Sequence, residues 1–239
     1  MVVRQDLVAV VVVVYYKKML SIIIPTKNES KVILKTLLPL QDLRKNKTCE
    51  IILVDGNSSD SSIELAKPYV DKILISQSDR SIQQNIGASV SKNDLLLFLH
   101  ADTQINPKDI ENIGLKNKKA IWGFFKIRFD NDQKRYRLLE FFINLRSMVF
   151  KYGTGDQCLF MNKDIFYKVG GFPNIRLMED IEICSSLKRI CKPKIMNDVA
   201  TSSSRKWESY GFVKTIIKMR LYRILYFFGI DTRLLKKNY

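Results

Sequence analysis

The chain has 239 residues, 46% of them hydrophobic, which suits one large folded domain and excludes a disordered or fibrous chain. Lys and Arg number 40 against 24 acidic residues, a formal charge of +16 that points to anionic partners and says nothing about fold. The four cysteines, Cys49, Cys158, Cys184 and Cys191, make no C-x-x-C pair and no zinc spacing, so they read as reduced thiols of a cytoplasmic protein.

Residues 1–18 read as an N-terminal extension, with Met19 as an alternative start. Their apolar run, Leu7 to Tyr16, falls well short of the roughly 20 residues a spanning helix needs. Asp6 precedes the run and no small-residue cleavage site follows it, which argues against a signal peptide. From Leu20 a rhythm begins. "LSIII" is a short apolar strand halted at Pro25, and "SKVILKTLLPL" is a helix opening near Ser30. "EIILV" is a second strand, and the helix "SSIELAKPYV" is capped by Asp60 or Ser61. "DKILIS", "SIQQNIGASVS" and "DLLLFLHAD" then read as strand, helix and strand. This alternation predicts an α/β fold, a mostly parallel sheet covered by helices on both faces.

In such sheets the ligand crevice lies beyond the C-terminal strand ends. Polar residues gather there: Pro25 to Glu29 after the first strand, Asp55 to Asp60 after the second, and His100 to Asp102 after the fourth. His100 is the single histidine of the chain.

The second half is less regular. "AIWGFFKIRF" alternates as a strand and "RYRLLEFFINLRSMVF" reads as an amphipathic helix. "GDQCLFMNKDIFYKVGGF" gives a strand, a short helix and a Gly-Gly turn. "LMEDIEICSSLKRI" opens a helix with Glu179 and Asp180 in its first turn, where carboxylates suit the helix dipole. "PKIMNDVA" is a late strand, expected to continue the same sheet. In the tail, Val213, Ile217, Leu221, Ile224 and Phe228 form a helical stripe with Lys214, Lys218, Arg220 and Arg223 among them. Two readings stand side by side: an interfacial helix on an anionic membrane, and a terminal helix packing its stripe on the domain.

Six motifs follow one another from Ser21 to Ile183: "SIIIPTKNES", "IILVDGNSSDSS", "QQNIGAS", "LLLFLHADT", "GDQCLFMNKDIFYKVGGF" and "MEDIEI". In this order they resemble a family 2 glycosyltransferase of the GT-A fold, over about residues 19–200. "FLHADT" and "SSRKW" narrow the likeness to small bacterial enzymes that sit beside radical-SAM proteins, some linked to arsenosugar synthesis. The resemblance divides the chain into a GT-A domain, 19–200, and a basic amphipathic segment, 201–239. Within the domain, 19–103 would be the nucleotide-donor half and 104–200 the acceptor half.

The resemblance also implies roles. Asp102 matches the second aspartate of the family's D-x-D metal motif, and His100 stands where the first belongs. Together they would hold Mn2+ or Mg2+, the imidazole favouring manganese over calcium. His100 could instead hydrogen-bond the donor or merely finish the strand. Asp55 matches the base-contacting aspartate, and Pro25, Thr26, Asn28 and Glu29 the loop lining the nucleoside. Arg80 and Gln84 fall where the family faces the donor, and Arg205 could meet the diphosphate. Asp180, beside Glu179, matches the base that deprotonates the acceptor. Gly155, Asp156, Gln157 and Trp207 would lie on the acceptor side. "SSRKW" lacks the Gln of the Q-x-x-R-W element, so processive synthesis is not inferred.

The expected activity is inverting, metal-dependent transfer from a nucleotide-sugar, a UDP-sugar foremost, to a sugar, lipid or small-molecule hydroxyl. A cytoplasmic enzyme, peripheral on the inner face of the cell membrane, fits the basic tail. One alternative is a sugar-nucleotide nucleotidyltransferase, disfavoured because "PTKNES" lacks the glycine-rich loop that chemistry uses. The other is a non-catalytic basic module. No nucleic-acid motif accompanies the charge, so nucleic acid is not an expected partner.

Overall fold

The computed structural model describes residues 19–113, 121–175 and 177–230. The proposed extension, 1–18, and the last stretch, 231–239, lie outside the described residues. The first half alternates: β1 (Leu20–Thr26), α1 (Ile33–Leu37), α2 (Gln41–Lys45), β2 (Cys49–Asp55), α3 (Ser62–Ala66), β3 (Lys72–Ile75), α4 (Arg80–Ser89) and β4 (Leu95–Phe98). The second half holds β5 (Thr103–Ile105), α5 (Pro107–Glu111), β6 (Trp122–Phe129), α6 (Lys134–Phe150), β7 (Phe160–Asn162), α7 (Lys163–Lys168), α8 (Glu179–Lys188) and β8 (Lys194–Ser202). Two helices follow, α9 (Arg205–Tyr210) and α10 (Phe212–Phe227).

The strands form one sheet in the order β3-β2-β1-β4-β7-β6-β8-β5. β3, β2, β1 and β4 are parallel neighbours, as the strand–helix rhythm requires. β7 enters antiparallel to β4, β6 antiparallel to β7, β8 parallel to β6, and β5 antiparallel to β8. Both sheet faces are dry. Ile22, Ile24, Ile51, Leu53 and Leu97 belong to one core, while Ile23, Leu96, Phe98, Trp122 and Phe124 belong to the other. Strands buried on both faces explain why these stretches read as continuous apolar runs.

Two local boundaries differ from expectation, each for a visible reason. The helix expected from Ser30 opens only at Ile33, and Pro39 turns the run into a 3-10 segment, Leu38–Leu40, before α2 resumes. Ahead of α3 it is Asp60, not Ser61, whose side chain accepts from the Ser62 N–H, at 3.0 Å.

Helix α6 lies the other way round from an ordinary amphipathic helix. β7 pairs with β6 only at Trp122 and Gly123, so the rest of that β6 edge needs other partners. Polar side chains of α6 supply them. The Asn144 amide donates to the Ile127 carbonyl at 3.0 Å and accepts from its N–H at 2.9 Å. Glu140 accepts from the Phe129 N–H at 2.6 Å, and Arg137 donates to the Phe129 carbonyl at 2.9 Å. With its polar side spent on the sheet, α6 turns Leu138, Phe141, Phe142, Leu145 and Val149 outward.

Helix α10 docks through Phe212, Ile216 and Met219, which pack on Ile127, Phe129, Tyr136 and Trp207. The stripe read from the sequence, Val213, Ile217, Leu221, Ile224 and Phe228, is exposed, at 66%, 62%, 47%, 53% and 81%. Packing therefore uses a neighbouring stripe, and the one picked from the sequence faces out.

Candidate active site

The parallel register brings the ends of β1, β2 and β4 to one edge of the sheet, with Thr26 level with Asp55. The loops there are bound to one another. The Thr26 carbonyl accepts from the Gly56 N–H at 2.8 Å and from the Gln83 amide at 2.9 Å, and the same amide reaches the Val54 carbonyl. Asn28, in the left-handed region at φ 54°, accepts from the Ser59 N–H, while its own N–H donates to Ser58. Asp55 is fully buried, and both its oxygens take hydrogen bonds from Ser58. Glu29 pairs with Arg205, tying the first loop to the start of α9.

Beyond β4 the chemistry concentrates. His100 is buried, and its Nδ1 lies 2.9 Å from an Asp156 oxygen. Its Nε2 is buried without a hydrogen-bond partner, against Gly155. A Cβ at position 155 would fall 2.3 Å from that nitrogen, so glycine lets the 155–157 turn close on the ring. Asp102 faces Lys206 at 4.0 Å, and its carbonyl accepts from the Ser203 N–H. Burial would raise the Asp156 carboxyl. The hydrogen bond and charge of His100, with Lys206 and Arg80 beyond, outweigh burial and hold it well below the usual carboxylate range.

Across the pocket, Met178 sits in the left-handed region at φ 69° and launches α8. That backbone state is costly for a non-glycine residue and typical of functional sites. One Asp180 oxygen accepts from the Gly155 N–H at 3.0 Å, the other from its own helix at Ile181. Glu179 is buried 3.4 Å from the Arg80 guanidinium. Burial pushes its carboxyl up, Arg80 pulls it back in part, and the neighbouring Asp180 charge pushes it up again.

Ligand atoms of His100, Asp102 and Asp156 lie within 4.8 Å of one another. One imidazole nitrogen and two carboxylates could hold a divalent cation of the Mn2+ or Mg2+ kind. The pocket is lined by Arg80, His100, Asp102, Asp156, Glu179 and Asp180, with Gly155 and Trp207 at its walls. Asp156, expected on the acceptor side, lies with His100 and Asp102 in this candidate group. Gln157 is buried and spent on structure: its amide oxygen accepts from Ser147 and the Thr154 N–H, and its nitrogen donates to the Phe125 carbonyl. Pro25, Thr26, Asn28, Asp55 and Gln84 do not line this pocket; Pro25, Thr26 and Asp55 lie at the ends of β1 and β2, and Asn28 in the loop after β1. Gln84 is buried with its Oε1 unpartnered, and its neighbour Gln83 does the bridging. Helical spacing held that signal, since Gln83 shares a face with Gly87, which packs on Ile23. Lys206, Arg146 and Arg223 also line the pocket; none of them stands out as a site residue in the sequence, where Arg223 reads only as part of the basic tail, because charge in a basic sequence looks like surface.

Comparison with known proteins gives the family and the fold. Residues 21–162 match the model of the family described as glycosyl transferase family 2. A 95-residue stretch is 30% identical to a 4,4'-diaponeurosporenoate glycosyltransferase of Staphylococcus haemolyticus, covering 36% of this chain and 25% of that protein. The fold is shared with S. aureus TarS 1–349, whose structure contains UDP-GlcNAc, at a TM-score of 0.60 and 16% identity, covering 77% of this chain and 58% of that one. It is shared too with the mannosyltransferase PcManGT of Pyrobaculum calidifontis, whose structure holds GDP-Man and Mn2+, at 0.58 and 13%, covering 79% and 57%. The chain thus spans a quarter of that curated relative and less than two thirds of these structures. A curled α/β sheet of GT-A type, with the family match over residues 21–162, places this chain in glycosyl transferase family 2.

Proposed function

We propose that the chain transfers a sugar, with inversion, from a nucleotide-diphosphate donor to an acceptor hydroxyl. The carrying observation is one pocket that holds both Asp180 and the His100–Asp102–Asp156 group. Asp180 accepts the hydroxyl proton while the acceptor oxygen attacks the anomeric carbon. The bond from that carbon to the diphosphate oxygen breaks, and the nucleoside diphosphate leaves with the electron pair. Two N–H groups, of Gly155 and Ile181, fix the Asp180 carboxylate for this task. Glu179 positions Arg80 at the pocket wall, where a guanidinium suits phosphate. A divalent cation, when bound, would neutralise charge on the leaving diphosphate. The nucleotide-sugars in the similar structures support that donor class, and a UDP-sugar is the first to try.

In this reading residues 19–103 serve the donor and 104–200 the acceptor. The exposed stripe of α10, with its lysines and arginines, supports peripheral attachment to an anionic membrane, on the inner face of the cell membrane. Among the described residues no helix is long and apolar enough to cross a membrane. "FLHADT" and "SSRKW" support kinship with the small bacterial enzymes found beside radical-SAM proteins.

The test is a transfer assay on Asp180→Asn and Asp102→Ala, with donor binding followed by thermal shift in Mn2+. Asp180→Asn should keep donor binding and lose about 10²-fold or more in turnover. Asp102→Ala should lose the Mn2+-dependent part of donor binding. Full activity in both folded variants would overturn the reading.

A further inference from the structure

Between α6 and α10 runs a cleft of about 860 Å³ with apolar walls: Leu138, Phe142 and Val149 on one side, Ile216, Ile224 and Phe227 on the other. Its inner end is the catalytic pocket, because Ile143, Arg146, Trp207, Met219 and Arg223 line both. Arg146 and Arg223 stand at that junction. The Nε of each is buried without a hydrogen-bond partner. Arg146 stacks on the Tyr152 ring at 5.0 Å and reaches Ser147 at 3.4 Å. Burial, then the like charge of Arg223, push the Arg146 guanidinium down to about 10. Two guanidiniums that share this junction and act on each other as like charges are relieved by an oxyanion between them.

We propose that the cleft and its arginine pair form an acceptor subsite for a phospholipid whose phosphate lies between the hydrocarbon chain and a free hydroxyl. The order of groups along the protein fixes the order along the ligand. The chain fills the cleft, the phosphate meets Arg146 and Arg223, and the hydroxyl reaches Asp180, whose charge is close enough to act on Arg146. A formal charge of +16 draws the protein to the anionic membranes where such lipids reside. The transfer step rests on the glycosyltransferase reading above; the binding site does not.

The probe is dihexanoyl phosphatidylglycerol below its micelle concentration, so that surface charge does not gather it. Trp207 lies at the junction and Trp122, the other tryptophan, is buried in the core, so tryptophan fluorescence with calorimetry reports the site. Saturable binding is expected, about tenfold weaker or worse in Arg146→Gln, Arg223→Gln and Val149→Glu. Arg223 and Val149 are not core residues, so their variants keep the test alive if Arg146→Gln does not fold. Glycerol phosphate alone should bind at least tenfold more weakly. Equal affinity for glycerol phosphate, or unchanged lipid affinity in the folded arginine variants, would overturn the subsite. A UDP-sugar and Mn2+ thermal shift on the same samples separates the two claims: lipid binding without donor binding sinks the glycosyl-transfer reading and leaves the subsite standing. Donor binding without lipid binding does the reverse.

Discussion

His100 shows how much one residue's neighbours decide. The resemblance sets it where the D-x-D pattern has its first aspartate, and the structure puts a carboxylate from elsewhere, Asp156, 2.9 Å from its Nδ1. A carboxylate beside an imidazole orients the ring and raises its basicity, so it supports metal binding even if it does not itself coordinate. Asp156→Asn should therefore weaken Mn2+ binding by about 10- to 100-fold, measured by titration with Mn2+ and paramagnetic resonance. Unchanged affinity would remove Asp156 from the site. Gly155→Ala asks a steric question at the same place. Its Cβ would meet the imidazole at 2.3 Å, so the turn or the ring must shift. A loss of about 1–3 kcal/mol in urea unfolding is expected, the usual cost of overpacking. Asp102 and Asp180 stood out in the sequence because a motif and its strand or helix end coincide, and both line one pocket. The closeness of Asp156 to His100 was not legible, since the two lie 56 residues apart and only antiparallel entry of β7 beside β4 brings them together.

At the level of elements, period and punctuation carried most of the fold. Apolar strands alternating with helices gave the parallel half, and buried pairs such as Ile23 and Ile24 show why no polar alternation marked them. What the pattern left open was which way α6 faces. The usual rule sends apolar residues inward, but the short β6–β7 pairing leaves backbone groups that only polar side chains can satisfy. Asn144 answers both groups of Ile127. Asn144→Leu should thus destabilise the protein by about 1–3 kcal/mol, although a leucine improves the helix by propensity. Chemical denaturation decides the matter, and a neutral or stabilising result would mean that water serves that strand edge as well as Asn144 does. The same reasoning makes the outward apolar face of α6 a consequence of the sheet's need, and it lies beside the outward stripe of α10.

For the molecule as a whole, charge and exposed apolar surface act together. Leu138, Phe141, Phe142 and Val149 from α6 and Val213, Ile217, Leu221 and Phe228 from α10 give the chain a greasy side, on a protein of formal charge +16. Charge alone would make vesicle binding steeply dependent on salt, because the Debye length falls from about 10 Å at 0.1 M to about 3 Å at 1 M. Inserted side chains would leave a salt-resistant remainder, since burial of apolar surface is not screened. Vesicles of phosphatidylcholine with phosphatidylglycerol should therefore bind the protein strongly at low salt and retain part of it at 1 M. Ile217→Glu with Leu221→Glu changes only exposed positions, so it should spare the fold and abolish that remainder. Binding that vanishes entirely at high salt in the unaltered protein would reduce the membrane contact to electrostatics. It would leave the two-helix surface without a role in attachment, while the proposed function of the pocket would be untouched by the result.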